Sequence, residues 1–277
     1  MIEELLQDRL SPFRDEALSG GIPAGDVERW STLARPCATL TRSGDGPVVG
    51  RFGGPLLLPA DAPDPAHPFV ASIDLAALPA DATDLPLPPD GRLLLFAVLE
   101  HESDPAARGS AVHVPAGAAV VERNGPATGD AEYPEGPLRL RIDVSLPHHH
   151  AADLPDGSGR GPLPGHPRAE ELVEVWDDTH DDIAPWGAMQ IGGYAAEEAV
   201  YTDPVADAVS DAVRSVAAGR WAGPVSDDPA DWVLLADWDA GMDVECWEGA
   251  TVHWVVQRED LVARRFDRVF TTFFWNP

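Results

Sequence analysis

The stretch Leu138–Leu146, LRLRIDVSL, decides the fold class. Leu138, Leu140, Ile142, Val144 and Leu146 alternate with Arg139, Arg141, Asp143 and Ser145. Successive strand side chains point to opposite faces, so this pattern puts one face on a core and the other in water. A strand with one wet face belongs to an antiparallel sheet, because parallel strands are buried on both sides and read as unbroken apolar runs. Upstream, PCATLTR (36–42), FVASID (69–74) and GRLLLFAVL (91–99) are short, apolar and bounded by Gly, Pro or Asp, as strands are. Downstream, DWVLLADWD (231–239), ATVHWVVQ (250–257) and RFDRVFTTFFW (265–275) read the same way.

Helices are expected in two places. Ile2, Leu5, Leu6 and Leu10, then Val27, Trp30 and Leu33, recur at helical spacing, so residues 1–33 form an N-terminal helical segment. In Asp203–Ala218, Asp203 suits the cap and Pro204 the first turn. Val205, Val209, Val213 and Val216 form an apolar stripe, and Gly219 suits the stop. The fold class is therefore α+β, mostly antiparallel strands with short helices. One domain over 1–277 is expected, with half one at about 36–146, an exposed loop at 151–168 and half two at about 169–277. The loop, AADLPDGSGRGPLPGHPR, contains GSGRG, but a phosphate-binding glycine run needs a strand before it and a helix after it, and Pro surrounds this one.

The halves share an order of features. Phe52-Gly53-Gly54 precedes a strand ending at Asp74 and then a Gly-led strand. Ile191-Gly192-Gly193 precedes a strand ending at Asp237 or Asp239 and then another Gly-led strand. This order predicts an internal structural duplication. The alternative is chance recurrence of Gly-Gly and Asp turns, since the spacings differ.

Composition excludes several functions. The 277 residues carry 47 Asp and Glu against 19 cations, a formal charge of −28, and every cation is Arg. Without Lys there is no Schiff-base chemistry, no phosphate loop with its lysine and no kinase ATP-lysine. So acidic a chain lacks the basic face that displaces counterions from nucleic acid. Strong acidity also suits a salt-adapted protein. Cys37 and Cys246 lie far apart, ruling out a thiolate-rich zinc cage from this chain alone; one disulfide or two free thiols of a reducing cytosol are both compatible. The N-terminus MIEELLQDRLSPF lacks the basic start of a signal peptide, and the longest apolar run, Leu93–Leu99, is too short to span a membrane. A cytoplasmic protein with no membrane or nucleic-acid partner is expected.

The ordered set RFGGPLLLP (51–59), FVASIDLAALP (69–79), GRLLLFAV (91–98), IGGY (191–194), WVLLADWD (232–239) and GATVHWVVQREDLVARRFDRV (249–269) resembles the bacterial YwqG-like family. The resemblance implies an α+β fold rich in antiparallel strands with a structural duplication, and it supplies no catalytic residues. The match is loose at DWDAGMDVECWEG (237–249).

That same segment holds the sharpest local pattern. Asp237, Asp239, Asp243 and Glu245 form a candidate acidic patch or metal site; a hairpin turning at Ala240-Gly241 and returning as a strand would gather them, with Arg258, Arg264 or Arg265 as counter-charges. The spacing echoes a calcium loop, but Met242 stands where the sharp turn needs Gly. His148 and His150, next to the alternating strand, share a side and are candidate ligands, with His149 opposite. Trp176–Asp182, WDDTHDD, reads as a solvated acidic loop. His253 reads as a satisfied sheet residue, and Cys246 sits among carboxylates that disfavour its thiolate. No G-x-S-x-G is present. The expected function is a non-catalytic binding module for a basic protein partner, with no cofactor and with the patch metal-free as isolated. The alternative is a metal-assisted hydrolase using the acidic segment near 237–245 with His148 or His150.

Overall fold

The computed structural model describes residues 8–100, 108–129, 131–153, 159–197 and 200–276. Ile2, Leu5 and Leu6 of the expected N-terminal helical pattern lie outside them. Helices α1 (Ser11–Ser19) and α2 (Ala24–Ser31) precede strands β1 (Arg35–Thr41), β2 (Val48–Phe52), β3 (Leu56–Pro59) and β4 (Phe69–Asp74). Next come β5 (Arg92–Ala97), β6 (Gly109–Val114), β7 (Val120–Arg123) and β8 (Gly136–Ser145). The pair β9 (Ala151–Asp153) and β10 (Arg160–Pro162) leads to α3 (Ala169–Ile183), β11 (Met189–Gly192) and α4 (Pro204–Ala217). The chain ends through β12 (Trp232–Asp239), β13 (Ala250–Gln257), α5 (Arg258–Val262) and β14 (Phe270–Trp275).

Ten strands form one antiparallel sheet in the order β14, β13, β12, β11, β1, β8, β2, β4, β5, β6. The sheet curls until its edges meet, giving a nearly closed barrel. Arg108 donates across the seam to the Phe273 carbonyl (3.4 Å), and Trp254 on β13 donates to the Phe96 carbonyl on β5 (3.0 Å). Gly109 permits the approach: a methyl there would lie 2.4 Å from the Phe96 oxygen and 2.7 Å from Thr271. The interior is apolar. Ala38, Leu40, Leu138, Leu140, Trp238 and Trp254 are among the side chains of its main cluster. Every second residue of a strand faces this interior, which is why alternation was visible in the sequence.

The outer face is covered in patches. Helix α4 lays Val205, Ala208, Val209 and Ala212 on Trp232, Leu234, Val255 and Phe270. Asp203 caps it by accepting from the Val205 amide, as expected, but the buried stripe is turned from the predicted one: Ala208, Ala212 and Ser215 are inside, and Val213 is exposed. Helices α1, α2 and α3 pack on one another around Phe13, Trp30 and Trp176 and take in Val144 and Leu146. The β3–β7 ribbon covers Leu94 and Phe96.

Two expectations are corrected here. The outer face of β8 is dry at its end, because Asp143 and Ser145 are 2% and 4% exposed. Arg9 and Arg141 pair with Asp143 at 2.9 and 2.6 Å and make that burial tolerable. The acidic stretch Trp176–Asp182 is helical, not a loop. Leu172, Val173, Trp176 and His180 form a buried stripe at helical spacing, and this packing outweighs repulsion among the carboxylates on the other side. Within 151–168, the strands β9 and β10 pair, and residues 154–158 lie outside the described set. No helix among the described residues is long and apolar enough to cross a membrane.

Candidate functional site

A β-bulge on β12 between Leu234 and Ala236 sets the site. It puts both Leu235 and Ala236 inside the barrel, so Trp238 also points in and Asp237 and Asp239 point out. On the neighbouring strand β13, Asp237 faces His253 and Asp239 faces Thr251 in register. These outward side chains form the floor of a cavity of about 620 Å³ between the barrel wall and α3. Six carboxylates line it: Glu170, Glu174 and Asp177 from α3, Glu197 from the segment after β11, and Asp237 and Asp239 from β12. The three helical acids recur at i, i+4 and i+7 and so share one face. Trp186 and Tyr201, 52% and 53% exposed, line it at the surface. Among the described residues no arginine lines the cavity.

His253 is fully buried beneath this floor. Its Nε2 lies 3.0 Å from Glu197 Oε1 and 3.4 Å from the Thr251 hydroxyl. Its Nδ1 lies 3.4 Å from Asp237 Oδ1 but has no hydrogen-bond partner. Burial alone would drive the imidazole neutral; Asp237 and Glu197 outweigh it and raise its pKa to about 10. His253 and its two flanking carboxylates, Glu197 and Asp237, thus form a buried charge cluster. Asp239 is raised to about 6 by burial and by the neighbouring Asp237 and Asp243, against the Met242 amide that it accepts.

The far end of the cavity is aromatic. The Trp176 indole N–H donates to His148 Nε2 (3.1 Å), and since an indole can only donate, the His148 proton sits on Nδ1 and reaches Asp177 (2.9 Å). Both nitrogens of His148 are thereby occupied, and the ring is not free as a metal ligand. His180 stacks on Trp186 with centroids 4.2 Å apart. Burial, with His148 beside it, pushes its pKa down to about 4, so it is neutral, and its Nδ1 has no hydrogen-bond partner. His150 lines the cavity against the Tyr201 ring, while His149 packs on Tyr194 away from it.

The structure thus brings Asp237, Asp239, His148 and His150 to one cavity. It does not bring Asp243 and Glu245 there. After Asp239 the chain makes a 3₁₀ turn over Ala240–Met242 and re-enters the sheet only at Ala250, so no returning strand carries them back. Asp243 instead pairs with Arg42 (2.7 Å) and accepts from the Trp238 indole (3.1 Å), whereas Glu245 is exposed. The counter-charge comes from Arg42, not from Arg258, Arg264 or Arg265. Among the described residues no three His, Cys, Asp or Glu side chains gather closely enough to hold a metal ion. Cys37 and Cys246 are free; burial, with Asp143 nearby, pushes the Cys37 thiol up to about 12.

Sequence reasoning missed Glu170, Glu174, Glu197, Trp186 and Tyr201. Glu197 and Tyr201 stand in an irregular segment with no periodicity to read, and Trp186 just beyond a helix read as a loop. The helix itself had a signal, the Leu172–Val173–Trp176–His180 spacing, which the density of carboxylates masked.

Residues 50–274 match the family described as Domain of unknown function (DUF1963). The chain belongs to the DUF1963 family. The matched span runs from within β2 to within β14, taking in Glu170, Glu197, Asp237 and His253, and leaves α1, α2 and β1 outside. No curated protein matches this DUF1963 chain.

Proposed function

We propose that this DUF1963 protein is a non-catalytic binding module for a basic protein partner, and that the cavity under α3 receives the partner's cationic groups. One observation carries the reading: six carboxylates line a cavity that, among the described residues, no arginine lines, although the chain has 19. His253 offsets only part of that charge, between Asp237 and Glu197. Trp186 and Tyr201 add ring faces of the kind that attract cations. The charge of −28 would steer a basic partner toward the mouth and repel acidic proteins. Two unpaired thiols support a reducing, cytosolic setting.

The test is fluorescence anisotropy with a labelled basic protein, an acidic protein of similar size, and the Asp239→Asn/Glu174→Gln variant. The reading expects binding of the basic protein only, weakened by added salt and by the variant. Equal binding of both proteins, or a salt-independent affinity, would refute it.

We propose also that the chain is YwqG-like in the finer sense and that its barrel descends from a duplication. The strand order supports the second point. The meander β2, β4, β5, β6 and the meander β11, β12, β13, β14 run outward from the central pair β8 and β1. In each, a 3₁₀ turn follows the Asp-ended strand: Leu75–Ala77 after Asp74 and Ala240–Met242 after Asp239. A positive-φ glycine, Gly91 or Gly249, comes just before the next strand. In this reading β1 and β8 are the leading strands of the two copies, each exchanged into the other's sheet.

A further inference from the structure

We propose that the cavity under α3 binds a free aliphatic polyamine, its ammonium groups paired with carboxylates of two separate walls and its methylenes laid along the apolar lining. The inference rests on the cation-binding reading above and narrows it to a small-molecule ligand. Four observations carry it. First, the carboxylates come from two elements, Asp237 and Asp239 on β12 and Glu170, Glu174 and Asp177 on α3, and among the described residues no three such side chains gather closely enough to hold one metal ion. Second, apolar side chains line the same space: Val144, Val173, Met189, Ala196 and Val200. A chain of alternating charge and methylene matches such a lining better than a hydrated metal ion does. Third, the volume of about 620 Å³ is that of a site for a whole small ligand. Fourth, His180, 6% exposed at the cavity wall, has an Nδ1 with no hydrogen-bond partner, 3.7 Å from Asp181 Oδ1. A neutral ring there adds no positive charge to repel an ammonium.

Trp186 and Tyr201 at the surface give the methylene chain a flat apolar bed, as aromatic side chains do for amphipathic ligands.

Isothermal titration calorimetry of the full chain with spermidine, 1,6-diaminohexane and hexylamine, at matched ionic strength, tests this directly. Spermidine and the diamine should bind at one site, and hexylamine about tenfold or more weaker, since it lacks the second charge-assisted pairing. Asp239→Asn and Glu174→Gln, one from each wall, should each weaken spermidine by about tenfold, whereas Glu248→Gln, outside the cavity, should not. Glu174 is exposed, so its variant leaves the fold intact. Equal affinity for diamine and monoamine, or equal loss with Glu248→Gln, would overturn the inference by reducing it to diffuse charge attraction. A basic protein that binds while spermidine neither binds nor competes would also overturn it and leave the partner reading standing. Spermidine binding without basic-protein binding would do the reverse.

Discussion

The clearest single perturbation is His253→Gln. In the native protein a fully buried imidazolium lies between Glu197 and Asp237, at 3.0 and 3.4 Å. Gln fills similar space and can still donate, but it removes the cation and leaves two carboxylates facing each other in a dry site. Breaking a buried pair in this way costs about 3–5 kcal/mol. The pH dependence makes the test specific. With a folded pKa of about 10 and an unfolded value of about 6.5, the native imidazole binds its proton more tightly when folded. Its contribution is then fully present below about pH 6.5 and is lost as pH rises through about 10. Linkage sets its upper size at about 5 kcal/mol below pH 6.5, about 3 near pH 8 and under 1 near pH 10. Urea denaturation, chosen because it adds no salt, should therefore show the stability gap between native and variant shrinking by about 2–3 kcal/mol from pH 7.5 to 9.5. NMR of the His253 ring should find it protonated at pH 8. A gap that does not change over this window would refute the charge assignment.

Trp254→Phe keeps the ring packing but removes the donor to the Phe96 carbonyl, and should lower stability by about 1–2 kcal/mol in denaturant melts with an unchanged far-ultraviolet spectrum. Gly193→Ala should cost more than about 1 kcal/mol, because Gly193 has φ +74° and an added methyl would lie 2.9 Å from Cys37 and Ser145 side chains; thermal melting checks it. His180, neutral when folded with a pKa of about 4, contributes stability that is present above about pH 6.5 and is lost as pH falls through 4. His180→Phe should therefore lose less stability than the native protein over that acid range in urea titrations.

The parts of the fold legible in the sequence were those written in local patterns. Leu138–Ile142 alternates because the barrel has an inside, and Asp203-Pro204 marks a helix start because its cap is made by neighbours in the chain. Closure of the sheet was not legible. It depends on Gly109 meeting Thr271, a contact between residues whose own segments say nothing of each other. The site divides the same way. Asp237 and Asp239 stood out through their own spacing, and His148 and His150 through theirs, but the register that sets Asp237 opposite His253 follows from a bulge and a ten-residue excursion with no local signature. Asp243 and Glu245 misled because a turn was expected to continue as a strand; the Trp238 indole and Arg42 hold Asp243 in the turn instead.

The central position of β1 governs how the chain can reach this structure. Leu40 pairs with Leu140 on one side and Met189 on the other, so the strand made first finds its second neighbour only after most of the chain exists. Its edge groups must stay open while β2 to β6 emerge and pair locally. Such long-range pairing pays its loop-closure entropy before any contact rewards it, which makes folding slow. During synthesis the barrel would wait as an incomplete sheet with an unpaired edge, the kind of intermediate that invites association with a second chain. The strong negative charge then has a further use that concerns the nascent chain and not the finished one: it keeps two such edges apart until β11 arrives.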